Sequence, residues 1–480
     1  MPVLRHDAQI DQSRSDVWDF YDRPGTFLRI MPEWESIQAH EVGRLRDGDV
    51  TRFTTRIGPL RTQWVAEHHD VIDGEEFSDR MVKGPLAKWD HRHRFVEGDA
   101  CTVVDEVTWK LPFQWISRVT SRWTVHSRLR RMFRFRTIRT QRDLRRIGET
   151  AEMSRKRILV SGSSGLVGSQ LCAFFEVAGH EVVRLVRDTS LHGATAQNEV
   201  RWNDRTGEVT SGSFEGFDAV VHMAGAGIGD KRWSSGRKAE ILESRTIPTA
   251  ALATALSNCD SPPEALLSAS AIGFYGPDDA GSPDDAGSNE GFTEDSPQGS
   301  GFLADVCARW EEATKPAKDS GIRVVHLRSG IVTSPSGGAL SKLLAPAKMG
   351  FGGPIAGGSQ SQSWISLDDE IHAIHHLMMH SSCSGAFNLC SPQPVTQAEF
   401  ASVLGRVLKR PSFAPLPGQI VRALFGEMGQ NLIVDGQTVL PTRLLDSGFD
   451  FSHTHLEDCL RDSLGRWVHP DPTCRYEPSA

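Results

Sequence analysis

Along the second two-thirds of the chain, short apolar runs alternate with longer mixed stretches. Arg157-Ile158-Leu159-Val160, Glu181–Val186, Asp218–Met223, Ala265–Ser270 and Arg323–Arg328 are rich in Val, Leu and Ile. Runs of this kind suit strands buried on both faces, and the stretches between them read as helices. Regular alternation of the two predicts a doubly wound parallel sheet. Residues 1–125 read differently. WDHRHRFVEG and CTVVDEVTWKLP flank a Glu-Gly-Asp turn, a hairpin signal, and SRSDVWDFYDRPGTFLRIMP reads as short helices ending at prolines. In SRLRRMFRFRTIRTQRDLRRIGE, Leu129, Met132, Phe133, Ile138, Leu144 and Ile147 form a helical stripe. The order strand, short helices, several strands, long helix predicts an α+β domain, with the helix packed on its own sheet and its arginines solvated. A sheet curved round that helix would leave an internal cavity. The break near residue 150 divides the chain into expected domains at 1–150 and 155–390, with a C-terminal lobe at 391–475.

The sharpest chemical signal follows the first apolar run of the second domain. Ser161-Gly162-Ser163-Ser164-Gly165-Leu166-Val167-Gly168 separates that strand from a helix expected to begin at SQLCAFFEVAG. A dinucleotide pyrophosphate needs a tight turn, close approach of backbone, and a helix N-terminus packed near the strand, which is what glycines at this spacing provide. Gly162, Ser163, Ser164, Gly165, Leu166, Val167 and Gly168 are therefore expected to hold a nucleotide cofactor. The second strand ends near Val186 without the acidic residue that binds a ribose 2′-hydroxyl, and Arg187 follows. A guanidinium there suits a 2′-phosphate, so NADP is expected in preference to NAD. Met223, Ala224 and Gly225 end a later strand in small residues and are expected beneath the dinucleotide.

These phrases, with FDAVVHMAGAGI, LLSASAIGFYG and HLRSGIVTS, resemble the extended short-chain dehydrogenase/reductases. GDKRWSSGRKAEILESRTIPT, GFLADVCARWEEAT, SWISLDDEIHAIHHL and GAFNLCSPQPVTQAEFASVL look like an atypical epimerase branch, with its short C-terminal domain matched by GEMGQNLIVDGQTVLPTRLLDSGFDF. The resemblance spans about residues 156–466. It implies a Rossmann domain and a small-molecule substrate; members carry labels such as nucleoside-diphosphate-sugar epimerase or cell-division inhibitor. The N-terminal phrases DVWDFYDRPGTFLRIMP, FSDRMVKGPLAKWDHRHRF and TVVDEVTWKLP resemble the START-like (SRPBCC, Bet v 1-like) superfamily over roughly residues 3–147. That likeness implies a pocket for a hydrophobic small molecule.

Ordinary short-chain dehydrogenases use a tyrosine with a lysine four residues on. Of the three tyrosines here, Tyr21, Tyr275 and Tyr476, none has that lysine; Gly25, Asp279 and Ala480 stand in its place. Matching the family helix puts Leu303 at the tyrosine position and Cys307 at the lysine position. Ser270 and Tyr275 are the replacement catalytic candidates, with Glu294 and Asp305 as flanking carboxylates. The alternative is a protein that binds NADP without turnover, as a sensor or regulator.

The remaining features narrow the field. A net charge of −8 excludes a general basic field for nucleic acid, and no apolar run is long enough to span a bilayer. Eight cysteines without a CxxC pair fit reduced, mostly buried thiols and a cytoplasmic setting. No metal is assigned. The repeated DDAGS of 278–288 lacks the ligand spacing of a calcium loop and reads as a mobile loop. His372, His375, His376 and His380 read as a solvated helix face, and His91 and His93 share one face of a strand, where they could line the expected cavity.

Overall fold

A computed structural model describes residues 3–57, 60–111, 120–187, 198–278, 291–469 and 473–477; the second DDAGS segment and most of the first lie outside them. Contacts divide the chain into two units, Met1–Glu152 with Ala173–Gly179 and Asp462–Ala480, and Met153–Cys172 with His180–Arg461.

The first unit runs β1 (Val3–Ile10), α1 (Arg14–Asp22), α2 (Thr26–Ile30), β2 (Gln38–Glu41), β3 (Val50–Ile57), β4 (Leu60–Ile72), β5 (Glu76–Lys83), β6 (Lys88–Val96), β7 (Cys101–Lys110) and α3 (Thr120–Glu149). The strands form one antiparallel sheet in the order β2-β3-β4-β5-β6-β7-β1, and Cys474–Glu477 adds a last strand beside β1. The expected hairpin is present, with Lys88 opposite Lys110 and Val96 opposite Thr102. The two expected short helices are α1, whose Ser13 Oγ caps the Asp16 N–H at 3.1 Å, and α2. Val17, Trp18, Phe20 and Tyr21 of α1 pack with Ile10, Phe77, Phe95 and Val103 of the sheet.

Helix α3 departs from the sequence expectation in its polar residues. Arg136, Arg139 and Arg146 are buried rather than solvated. The compensation comes from acids the helical periodicity does not reveal. Arg139 donates to Glu33 at 3.0 Å, and Asp143 of the same helix accepts two bonds from fully buried Arg29, at 2.8 and 2.6 Å. Buried charges persist only when paired in this way.

The second unit runs β8 (Arg157–Ser161), α4 (Leu166–Val177), β9 (Glu181–Arg187), β10 (Glu199–Trp202), β11 (Val209–Ser211), β12 (Ala219–His222), α5 (Ser235–Ser257), β13 (Ala265–Ala271), α6 (Phe302–Glu312), α7 (Lys315–Asp319), β14 (Arg323–Ser329), β15 (Ile331–Thr333), α8 (Gly338–Lys348), β16 (Ser361–Gln362), β17 (Trp364–Ser366), α9 (Leu367–Met379) and β18 (Gly385–Leu389), then further helices. Its main sheet has the order β11-β10-β9-β8-β12-β13-β14-β18, parallel except for β11. Leu159, Val183, Val220, Leu266 and Val324 from successive strands share one core with Leu252 and Leu256 of α5. The chain leaves β8 to build β9 and β10 on one side, then returns to build β12, β13, β14 and β18 on the other. That reversal opens a crevice at the carboxyl ends of β8 and β12, where doubly wound sheets bind ligands.

Candidate functional site

The glycine turn lies at the mouth of that crevice. Gly162 has φ +68°, and a Cβ on it would stand 2.8 Å from the Met223 carbonyl group. A side chain is therefore excluded twice, by backbone conformation and by β12 alongside. A Cβ on Gly168 would lie 2.2 Å from the Gly162 oxygen, so the first turn of α4 meets the strand end at a distance only glycine allows. The Gly165 N–H donates to the Gly162 carbonyl at 3.0 Å and closes the turn. Helix α4 starts at Leu166, three residues earlier than the sequence suggested. Leu166, Val167 and Gly168 thus supply first-turn N–H groups, which lack helical acceptors and favour an anion. Ser164 and Gly165 at the tip are exposed and Ser163 is half-buried. This cradle fits a pyrophosphate.

A pair that sequence reasoning missed braces the cradle from below. Ser161 and His222 are register partners at the ends of β8 and β12, with Oγ and Nδ1 2.7 Å apart. The Met223 N–H donates to the same Oγ at 3.1 Å. Burial depresses His222 to about 4, so the ring is neutral at physiological pH. Met223 and Ala224 follow directly and sit against Gly162. Gly225 lies beside Arg245 of α5, whose guanidinium carbon would be 3.3 Å from a Cβ there. Arg187 is the last residue of β9; its side chain is 71% exposed, with Nη1 3.9 Å from Asp204 Oδ2.

The dyad positions hold no replacement acid or base. Leu303 and Cys307 of α6 face Gly273, in the turn after β13. Burial, with Glu311 nearby, pushes the Cys307 thiol up to about 12, which removes it as a nucleophile. Ser270 and Tyr275 are brought together, but within a closed network. Ser270 Oγ donates to Glu311 Oε1 at 2.7 Å, and Glu311 also accepts from Arg328 Nε and Nη2 at 2.8 and 2.9 Å. Arg328 Nη1 donates to the Tyr275 hydroxyl at 2.9 Å, which itself donates to Asn388 Oδ1 at 2.7 Å. Tyr275 is 1% exposed, and burial outweighs Arg328 to push its phenol up to about 12. Arg328, Glu311 and Asn388 were not legible as a site, because the network draws Ser270, Tyr275, Glu311, Arg328 and Asn388 from five separate segments. Of the flanking carboxylates, Glu294 is buried, accepting from the Asn388 and Arg443 backbone N–H groups, while Asp305 is exposed in the first turn of α6.

The α9 histidines correct a second expectation. His372 and His375 are buried and His376 and His380 half-buried, so this is no solvated face. His375 Nε2 meets His180 Nε2 at 3.1 Å and His376 Nε2 meets Ser447 Oγ at 3.0 Å. Helix α9 packs against β13, β14, β15 and β17, and the chain after β18 supplies polar partners on another side. Cys101, Cys172, Cys307, Cys383, Cys390 and Cys459 are buried free thiols and Cys259 is half-buried, and no helix among the described residues is long and apolar enough to cross a membrane.

Residues 158–390 match the NAD dependent epimerase/dehydratase family, and residues 416–463 match a domain of unknown function. An epimerase family protein of Mycobacterium bovis is 38% identical over 308 residues, 64% of this chain and 97% of that protein. The crystal structure of a nucleoside-diphosphate sugar epimerase from Corynebacterium glutamicum is 28% identical with a TM-score of 0.77, over 96% of this chain and 90% of that one. Human epimerase family protein SDR39U1, solved with NADPH, is 31% identical with a TM-score of 0.57, over 64% of this chain and 98% of that one. With its glycine turn at the β8–β12 crevice and relatives matched over nearly their full length, the chain belongs to the NAD(P)-binding epimerase family of Rossmann-fold proteins.

Proposed function

We propose that the second unit binds NADP(H), with the pyrophosphate on the Gly162–Gly168 turn and the 2′-phosphate at Arg187. The observation that carries this reading is the exposed guanidinium closing β9, which leaves most of its surface free for a phosphate while Asp204 stands 3.9 Å away. The NADPH held by the human relative supports it. Bound there, the nicotinamide would supply hydride exchange at a carbonyl or carbinol carbon of a small substrate, as in a carbonyl reductase or a sugar-nucleotide epimerase. In this reading Ser270 and Tyr275 are positioning residues: through Arg328 and Glu311 they fix the ends of β13 and β14 beneath the substrate. The proton then travels through water or the substrate's own hydroxyl. The test is calorimetry with NADPH and NADH, followed by a panel of sugar nucleotides, aldehydes and quinones read by nicotinamide absorbance. Leu303, Cys307 and the closed Tyr275 network favour one other reading, a non-catalytic NADP-dependent sensor. Tight NADPH binding with no turnover across the panel selects it.

For the first unit we infer a START-like ligand-binding domain. Its element order supports this, as does a half-buried aromatic row with ring centroids 5.1 Å (Phe27–Phe53), 5.8 Å (Phe53–Trp64) and 5.5 Å (Trp64–Trp89) apart. Such a row suits an apolar small molecule. Quenching of tryptophan fluorescence by a long-chain fatty acid, lost in Trp64→Ala, is the expected signature.

A further inference from the structure

Histidine and aspartate recur on one face of the first sheet, at directly opposed positions of neighbouring strands. His68 of β4 faces Asp79 of β5, Asp79 faces His91 of β6, and His93 of β6 faces Asp105 of β7. His91, His93 and Asp105 are buried, and the Asp79 side chain retains 21% exposure. Asp79, His91 and His93 each offer one ligand atom within 4.8 Å of the other two. His93 Nε2 and Asp79 Oδ2 are 3.4 Å apart. Ligands about 2.0–2.1 Å from a tetrahedral ion stand about 3.3 Å from one another, so this edge already has the length a metal polyhedron requires.

The surroundings hold these three groups as outer-shell partners hold metal ligands. Asp105 Oδ1 takes His91 Nε2 at 2.9 Å and lies 2.7 Å from His93 Nδ1, which leaves each ring its other nitrogen. His68 Nδ1 lies 2.5 Å from Asp79 Oδ1, which leaves Oδ2 turned toward His93. One carboxylate backing two imidazoles, and one imidazole backing the ligating carboxylate, fix tautomer and orientation. Arg136 Nη1, 3.8 Å from Asp105 Oδ1, offsets the charge of the outer carboxylate.

We propose that Asp79, His91 and His93 form a binding site for a divalent first-row transition cation, open to exchange on the Asp79 side. Two imidazoles and a carboxylate suit zinc or iron(II) and leave positions for water or a ligand atom. The site is independent of the nucleotide reading, since all its residues belong to the first unit.

The test titrates Co²⁺ into the full chain after chelator treatment, following visible d–d absorption, with Zn²⁺ uptake counted by elemental analysis. One ion per chain is expected, with affinity falling at least roughly 10-fold in His91→Gln and His93→Gln and 10- to 100-fold in Asp105→Asn. His375→Gln controls for the separate His180–His375 pair and should leave uptake unchanged, as should NADPH binding in every variant. Should the histidine variants misfold, X-ray absorption on Zn²⁺-loaded wild type decides independently: two or more imidazoles with oxygen ligands are expected. Absence of stoichiometric uptake, uptake indifferent to His91 and His93, loss in His375→Gln, or a sulfur ligand would overturn the assignment.

Discussion

A methyl group at position 168 would have to share space with the Gly162 carbonyl, and one at 162 would need a backbone conformation costing about 1–2 kcal/mol before any clash. Gly168→Ala should therefore cut NADPH affinity at least tenfold in calorimetry while leaving the far-ultraviolet spectrum near wild type. Arg187 makes a different prediction, because in the proposed site it would meet only one phosphate. Arg187→Ala should weaken NADPH binding by one to two orders of magnitude and leave NADH within about threefold, the difference being one charge-assisted pair. Equal losses for both cofactors would remove Arg187 from the site. Glu370 of α9 gives a pH signature. It is 2% exposed, accepts from Ser329 Oγ at 2.6 Å, and burial raises its carboxyl to about 7. Its folded pKa stands above the unfolded 4.5, so its contribution to stability is full below pH 4.5 and is lost as pH rises through 7. The swing is on the order of 3 kcal/mol. Urea melts of Glu370→Gln at pH 5 and pH 8 should show this part of the decline removed; an unchanged decline would mean the carboxyl ionises freely. The glycines were readable because turn geometry restricts residue type locally. The Arg328–Glu311–Tyr275 network was not, because nothing local marks residues 275, 311, 328 and 388 as neighbours.

At the scale of elements, apolar periodicity located β6 to β9 and β12 to β14, since burying one face or both leaves a regular trace, but not the remaining strands of the two sheets. It misled where polar side chains were buried against distant partners. Helix α3 carries Arg136, Arg139 and Asp143 inward because Glu33, Asp105 and Arg29 receive them. Helix α9 buries Asp369 because Ser366 and the Ser452 and His453 N–H groups all point at its carboxylate. A polar face predicts solvent only until a partner occupies the other side. Asp143→Ala removes the two charge-assisted bonds made by the buried Arg29 guanidinium, which should cost about 3–5 kcal/mol. The check is the denaturation midpoint of the first unit, followed by its own tryptophans. A loss below about 1 kcal/mol would indicate that water reaches Arg29.

At the scale of the whole molecule, relatives such as the Mycobacterium bovis protein match 64% of this chain while spanning nearly all of themselves, so the family likeness falls on the second unit. The Corynebacterium glutamicum structure follows 96% of the chain and therefore shares the first unit too. Composition and motifs placed a break near residue 150 and a C-terminal lobe at 391–475, and did not show that the first sheet draws a strand from the far end of the sequence. Val3 pairs with Glu477 and His6 with Cys474, some 470 residues apart. As the ribosome makes the chain in order, the outer rim of β1 has no neighbouring backbone until residues 474–477 emerge, long after β7 has covered its other side. Throughout that interval the nascent protein exposes a row of N–H and C=O groups of the kind that invites strand exchange between copies. Ending translation at Trp467 should thus leave nucleotide binding intact yet yield dimers and larger species on a sizing column, with an appended charged tail partly suppressing them.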